Sequence, residues 1–365
     1  MNGYTVVHGD FSAFEEALKG RVMLMIVIGT TDTSLIPGIT IAGASPELTH
    51  YTPAADVEYL LTGSCKVIPV IPMTPDGKPT PALLTRSMVR LTGVGVMVAN
   101  AGVRVRPNIP YIDLQGEPGG DIRRGAALSR GSVERIVENG LVLGHNLGRA
   151  LDLLMLGESI PAGTTTAMAF LVAMGYDAWN KMSSASPVNP RELKVRVVSE
   201  ALRNAGISSP LTDPIEAVSR VGDPVIPAMA SIAVGASRSG ARVILAGGTQ
   251  MAAVLAFIKA YDKGALGNVA VATTRWIIGD KTADLPGLVN EIAGVPLVYS
   301  NVNLGDVGYS GLRAFEEGYV KEGVGAGGSM VMAAARGFKL GEIKRAIVDE
   351  YEGMLKMAGV KPQHG

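Results

Sequence analysis

Short runs of aliphatic and β-branched residues, several ending in Gly or Asn, recur along this chain with helical patterns between them. The runs are RVMLMIVIG (21–29), KVIPVIP (66–72), VGVMVANAG (94–102), ARVILAGG (241–248), NVAVATTRWIIG (268–279) and VPLVYSNV (295–302). They are nearly continuous in apolar character, as in strands covered on both faces. Helical periodicity falls at 54–61, 81–91, 132–156, 164–174, 190–204, 214–237 (as two helices), 249–261, 285–292, 328–336 and 340–357. Strands alternating with helices predict an α/β fold, a mostly parallel Rossmann-like sheet flanked by helices. In such a sheet ligands bind beyond the carboxyl ends of the strands, where the glycines of this chain gather. The longest irregular stretch, 113–132, is expected to be a domain junction or an active-site loop.

Composition narrows the function classes. The chain has 365 residues, 47% of them apolar, enough for one large α/β unit or two domains. Lys and Arg number 33 and so do Asp and Glu, so no basic excess favours a nucleic-acid partner. Cys65 is the sole cysteine, which excludes an intramolecular disulfide and a cysteine-based zinc site. His8, His50, His145 and His364 have no metal-ligand spacing, so no metal and no cofactor are expected. The apolar run at 22–29 is too short to span a bilayer, and the expected location is the cytoplasm. The methionines, Trp179 and Trp276 read as core packing, and His145 as a surface helix residue.

Two stretches share one layout, a glutamate ahead of a glycine-bearing turn that opens a helix: GESIPAGTTT (157–166) and KEGVGAGGSM (321–330). N–H groups at a helix start attract anions, and glycine lets the backbone approach a phosphate closely. The P-loop lysine is absent, so neither stretch is a nucleoside-triphosphate cradle. The threonines 164–166 suit either a phosphate or an ordinary helix cap. Glu158, just after an apolar run, is expected to be partly desolvated. The donor phosphate is expected at these helix starts and not in a lysine patch.

These stretches resemble motifs of the nicotinate-nucleotide–dimethylbenzimidazole phosphoribosyltransferases. The first is similar to that family's Gly-Glu-Met-Gly-Ile-Gly-Asn-Thr-Thr, the second to its Gly-Glu-Gly-Thr-Gly-Ala. KVRVVSEAL (194–202), DPIEAVSRVGDPVIPAMASIAVGA (213–236) and VILAGGTQMAA (243–253) follow in the family's order. The resemblance covers about 94–337, and ITIAGASPELTHYTPAADVEYLLTG (39–63) is closer to an archaeal-type branch. The chain departs from the pattern at Ile160-Pro161-Ala162, at Thr164, and at Asp306, which stands where the family has a glutamate.

The resemblance implies one unit over 1–365, with an α/β core at about 94–337 and a smaller helical subdomain from 1–93 and 338–365, working as a homodimer. It implies phosphoribosyl transfer from nicotinate mononucleotide to a benzimidazole-type base, giving an α-ribazole 5′-phosphate and nicotinate for a cobamide lower ligand. Glu322 then maps to the general base and Glu158 to the carboxylate beside the ribose. Gly163, Thr164, Thr165, Lys194, Gly247, Gly248, Gly323 and Gly325 map to phosphate and ribose binding, and Ser45 and Asp56 to the acceptor-base pocket. The alternatives are a homologue that binds nucleotide without chemistry, and a transferase of the same fold with another acceptor.

Overall fold

The computed structural model describes residues 3–43, 46–68, 73 and 77–359; the side chains of residues 46 and 47 are not described. Eight strands form one sheet in the order β1-β8-β7-β6-β5-β2-β3-β4. They are β1 (Tyr4–His8), β2 (Val22–Gly29), β3 (Gly95–Gly102), β4 (Ile112–Asp113), β5 (Leu153–Ser159), β6 (Arg242–Ala246), β7 (Val269–Thr274) and β8 (Leu297–Ser300). All pairings are parallel except that of the edge strand β1 with β8. The fold is therefore the expected α/β one. From β2 the chain runs outward through β3 to β4, then returns to place β5 on the other side of β2. The carboxyl ends of β2 and β5 thus flank the point where strand order reverses, the usual ligand crevice of such sheets.

The strands are apolar on both faces because both are covered. Leu24, Ile26 and Ile28 of β2 join one core with helices α1 (Ser12–Leu18), α2 (Thr52–Thr62), α3 (Ala82–Thr92), α13 (Ala326–Ala335) and α14 (Leu340–Ala358). All but α13 come from residues 1–93 and 338–365, and the first of these segments also supplies the central strand β2. Met25 and Val27, pointing the other way, join a second core. Its helices are α4 (Arg130–Ala150), α5 (Gly163–Ala173), α6 (Arg191–Asn204), α7 (Pro214–Val221), α8 (Val225–Arg238), α9 (Met251–Asp262) and α11 (Leu285–Ile292). The remaining short helices are α10 (Arg275–Ile278) and α12 (Ser310–Arg313). Local chemistry sets several boundaries. Ser129 caps α4 by accepting from Ser132 N–H, and Asp213 with Pro214 opens α7. Helices α4 and α8 pack with backbones nearly touching: a Cβ at Gly144 would lie 2.1 Å from the Ile232 carbonyl oxygen.

Strand β1 and helix α1 fall where the sequence reading placed no element, and three of the elements it did place differ. The helix expected over 132–156 ends at Ala150, and Leu153–Ser159 is strand β5. The run 268–279 divides at Thr274, whose side chain accepts from Ile277 N–H and starts α10. Lys66–Ile68 are bends, and the rest of the run 66–72 lies outside the described residues.

Candidate active site

A cavity of about 390 Å³ opens at the strand-order reversal. Its wall is built from chain turns that follow the carboxyl ends of several strands. Strand β5 delivers Glu158 and Ser159, followed by Ile160, Pro161 and Ala162, before α5 begins at Gly163 and Thr164. The turn after β6 brings Gly248 and Gln250, and the segment before α13 brings Lys321, Glu322, Gly323 and Val324. Apolar residues, among them Ile39, Ile41, Leu48, Ala55 and Ile277, make up much of the lining. That combination, a mostly apolar hollow with a few convergent polar groups, is typical of small-molecule sites.

Backbone strain concentrates here. Ala162, Val320 and Val324 all line the cavity with φ of 63°, 44° and 54°. A β-branched residue in the left-handed region costs energy that surrounding structure must hold in place. For Val324 the hold is visible. Its N–H donates to the Glu158 carbonyl at 2.8 Å, and its own carbonyl accepts from Thr85 Oγ1 at 2.8 Å. Gly157 makes room for this crossing, since a Cβ there would lie 2.8 Å from Gly325 N and Cα. The two glutamate–glycine stretches, far apart in sequence, are therefore locked backbone to backbone.

Three carboxyl groups, Glu158, Glu322 and Asp56, line the cavity, and the charge of a fourth, Asp223, acts on Glu158. Glu158 is 4% exposed; burial, then the charges of Glu322 and Asp223, push its pKa up to about 8. The Ile160 N–H, 3.1 Å from Glu158 Oε2, is a single donor and offsets little of this. Glu322 is half-buried, and burial pushes it up to about 7. The N–H groups of Gly327 and Gly323, each at 3.1 Å, act against burial and favour its anion. Asp56 and Asp223 are both raised to about 6 by burial. Asp56 accepts from Thr80 Oγ1 at 2.6 Å and Ser159 Oγ at 2.7 Å, and Asp223 accepts from Thr166 Oγ1 at 2.5 Å. The result is a pair of glutamates whose carboxyls are both raised towards neutrality, mainly by burial, with the Glu322 charge adding to the rise of Glu158.

Of the residues singled out from sequence, Glu158, Glu322, Gly163, Thr164, Gly248, Gly323 and Asp56 line the cavity. Thr165 does not. It is fully buried in α5, and its hydroxyl has no partner among the described residues. Gly247 is held in the sheet by its N–H bond to the Ala272 carbonyl, and Gly325 is the contact for Gly157 behind the wall. Lys194 is 2% exposed and reaches the wall only through the Ser183 carbonyl. Ser45 lies outside the described residues. At α13 the expected anion position is filled by the protein itself, because Gly327 N–H already donates to Glu322. Asp306 is on the surface, paired with Lys344 at 2.6 Å, and none of residues 113–132 lines the cavity.

Sequence reasoning missed Asp223, Gln250 and Lys321. Asp223 looks like a plain helix cap, which it also is, accepting from Val225 N–H at 2.9 Å. Lys321 had a legible signal: it stands beside Glu322 where the family's motif has glycine.

Comparison with known proteins agrees with the fold. A family model described as Phosphoribosyltransferase matches residues 84–271. The UPF0284 protein of Pyrobaculum calidifontis is 54% identical over 90% of this chain and 94% of its own length. That of Saccharolobus solfataricus is 52% identical over 96% of this chain and 98% of its own. Two structures from Thermus thermophilus share the fold. One is described as a nicotinate-nucleotide–dimethylbenzimidazole phosphoribosyltransferase, with a TM-score of 0.59 and 14% identity, covering 98% of this chain and 95% of that one. The other is described as CobT, with a TM-score of 0.61 and 15% identity over 98% and 96%. No helix among the described residues is long and apolar enough to cross a membrane. The chain belongs to the phosphoribosyltransferase family, within its group of archaeal UPF0284 proteins.

Proposed function

We propose that the protein transfers the phosphoribosyl group of nicotinate mononucleotide to a benzimidazole-type base, releasing nicotinate and forming an α-riboside 5′-phosphate. One observation carries this reading: Glu158 and Glu322, on two interlocked turns, face one largely apolar cavity and titrate near neutral pH. The donor is a pyridinium riboside. Its C1′–N bond breaks with the electron pair going to nitrogen, so nicotinate leaves with a neutral ring nitrogen and needs no acid. The acceptor ring nitrogen forms the new bond to C1′, and the proton on its other nitrogen must be removed. Glu322 suits that step, since N–H groups hold its carboxylate in place while burial keeps it basic near pH 7. Glu158 suits the developing positive charge on the ribose; approach of that charge favours its ionised form. The apolar wall of Ile39, Ile41, Leu48 and Ala55 fits a flat aromatic ring. Attack opposite the leaving group inverts the β-riboside to the α product.

The test is direct. Protein incubated with nicotinate mononucleotide and a panel of aromatic bases should release nicotinate and form a riboside phosphate, both read by mass spectrometry. Absence of nicotinate release with every base would refute the reading.

A further inference from the structure

Helix α3 carries three hydroxyl side chains, and two of them bond within their own helix, as serine and threonine commonly do. Ser87 Oγ donates to the Leu83 carbonyl and Thr92 Oγ1 to the Met88 carbonyl, each four residues back and at 2.7 Å. Thr85, fully buried, instead sends its hydroxyl out of the helix to the Val324 carbonyl at 2.8 Å. One turn earlier Pro81 leans on the same segment, since a Cβ on Gly323 would lie 3.1 Å from Pro81 Cγ. The start of α3 therefore rests on the chain directly after Glu322.

Val324 needs that support. Its φ of 54° is one that a β-branched residue leaves readily. Two buried threonines hold the carbonyls on either side of Glu322: Thr274 Oγ1 donates to that of Lys321 at 2.5 Å, and Thr85 to that of Val324. Thr274 also caps α10, whereas the Thr85 hydroxyl has this one partner among the described residues. The Val324 N–H in turn donates to the Glu158 carbonyl, so a shift of Val324 moves both glutamates. Thr85 itself does not line the cavity. We infer that Thr85 is a positioning residue for the transfer, its hydroxyl keeping Val324 left-handed and so fixing Glu322 against Glu158. The inference rests on the phosphoribosyl-transfer reading. Without the hydroxyl, Val324 relaxes to negative φ, its N–H leaves Glu158, and the two turns part and admit water.

Thr85→Val keeps the shape and deletes the donor, and Thr85→Ser keeps the donor. In the Val variant kcat should fall about tenfold or more with KM for nicotinate mononucleotide within about threefold, because a misplaced catalytic pair is costly while the cavity lining is unchanged. The Ser variant should stay within about threefold of wild type in both. Carboxyl NMR on protein carrying isotope-labelled glutamate reads the same geometry without turnover, with Glu158→Gln and Glu322→Gln assigning the two signals. Parted turns relieve burial and mutual repulsion, so both inflections should fall by about half a pH unit or more in the Val variant and hold in the Ser variant. Unmoved inflections in a folded Val variant, or a Ser variant as impaired as the Val variant, would overturn the inference. Val324→Gly gives a second check, because glycine takes a positive φ without support. In that background Thr85→Val should move the inflections far less, and an equal shift would overturn the route through Val324. So would a Thr85→Val chain that stays unfolded even when combined with Val324→Gly, since the hydroxyl would then serve the fold and not the turn. Wild-type protein that releases no nicotinate, with the inflections still moved by Thr85→Val, would refute the reaction and leave the hold of Thr85 on the two glutamates standing.

Discussion

At the residue scale the chemistry turns on which glutamate takes the proton. Glu322→Gln preserves shape but cannot accept it, and loss of a general base costs about 10²–10⁴ in rate. The expected outcome is that loss in kcat with nucleotide affinity within a few fold, measured by steady-state kinetics and titration. If Glu322→Gln is near wild type and Glu158→Gln is inactive, the roles are reversed. The pH profile gives a separate check. Activity should rise with pH through about 7 as Glu322 ionises. Glu158→Gln removes a carboxylate coupled to Glu322 and should move that rise to lower pH, because repulsion between like charges acts on both partners. An unmoved inflection would show the two are not coupled. Both glutamates were legible from sequence because each sits in a local Glu-Gly motif. Asp223 and Gln250 were not, because they reach Glu158 and Gly163 only through the fold: a Cβ on Gly163 would lie 2.6 Å from Gln250 Nε2.

At the element scale the site depends on two turns crossing without side chains between them. Gly157→Ala would drive a methyl into Gly325, where the contact is backbone that cannot swing aside. Overpacking of this kind costs about 1–3 kcal/mol. The displacement falls on the Val324–Glu158 hydrogen bond that sets both carboxylates. Urea unfolding should show that loss, and kcat should fall by more than the small folded fraction lost at 25 °C can explain. Unchanged activity in a destabilised variant would mean the crossing is structural only. This crossing was hidden in the sequence by a misread element. The run LDLLML follows a 21-residue helix with no Gly or Pro between them, and short leucine-rich runs suit helix or strand equally. Strand β1 was missed for a different reason. At the sheet edge Val6 and Val7 are 42% and 37% exposed, so its pattern lacks the continuous apolar character of the inner strands. The inner strands β2, β3, β6, β7 and β8 were legible because burial on both faces demands such runs.

At the scale of the whole molecule, the resemblance implies a homodimer, and a mean hydropathy of +0.27 is consistent with apolar surface to cover. Light scattering at micromolar concentration should give twice the chain mass of 37.9 kDa; a monomer would refute it. The buried charges also shape the stability of the ligand-free protein. Glu158, Glu322, Asp56 and Asp223 all have folded pKa values above their unfolded ones, so the folded state binds more protons than the unfolded state in between. Their contribution is full below the unfolded carboxylate range, about pH 4, and is lost as pH rises through about 6, 7 and 8 in turn. Lys194 has the opposite sign: its folded pKa is lowered to about 7, so it adds stability as pH rises from there towards the unfolded lysine value. The melting temperature of the ligand-free protein should therefore fall between about pH 5 and pH 8 and turn upward above that, where Lys194 gives the remaining slope. Glu158→Gln should remove much of the fall between about pH 6 and pH 8, because the group with the highest raised pKa no longer titrates. Scanning calorimetry across this range decides it, and a melting temperature that climbs steadily from pH 5 to pH 8 would show that these carboxylates are not desolvated in the folded protein.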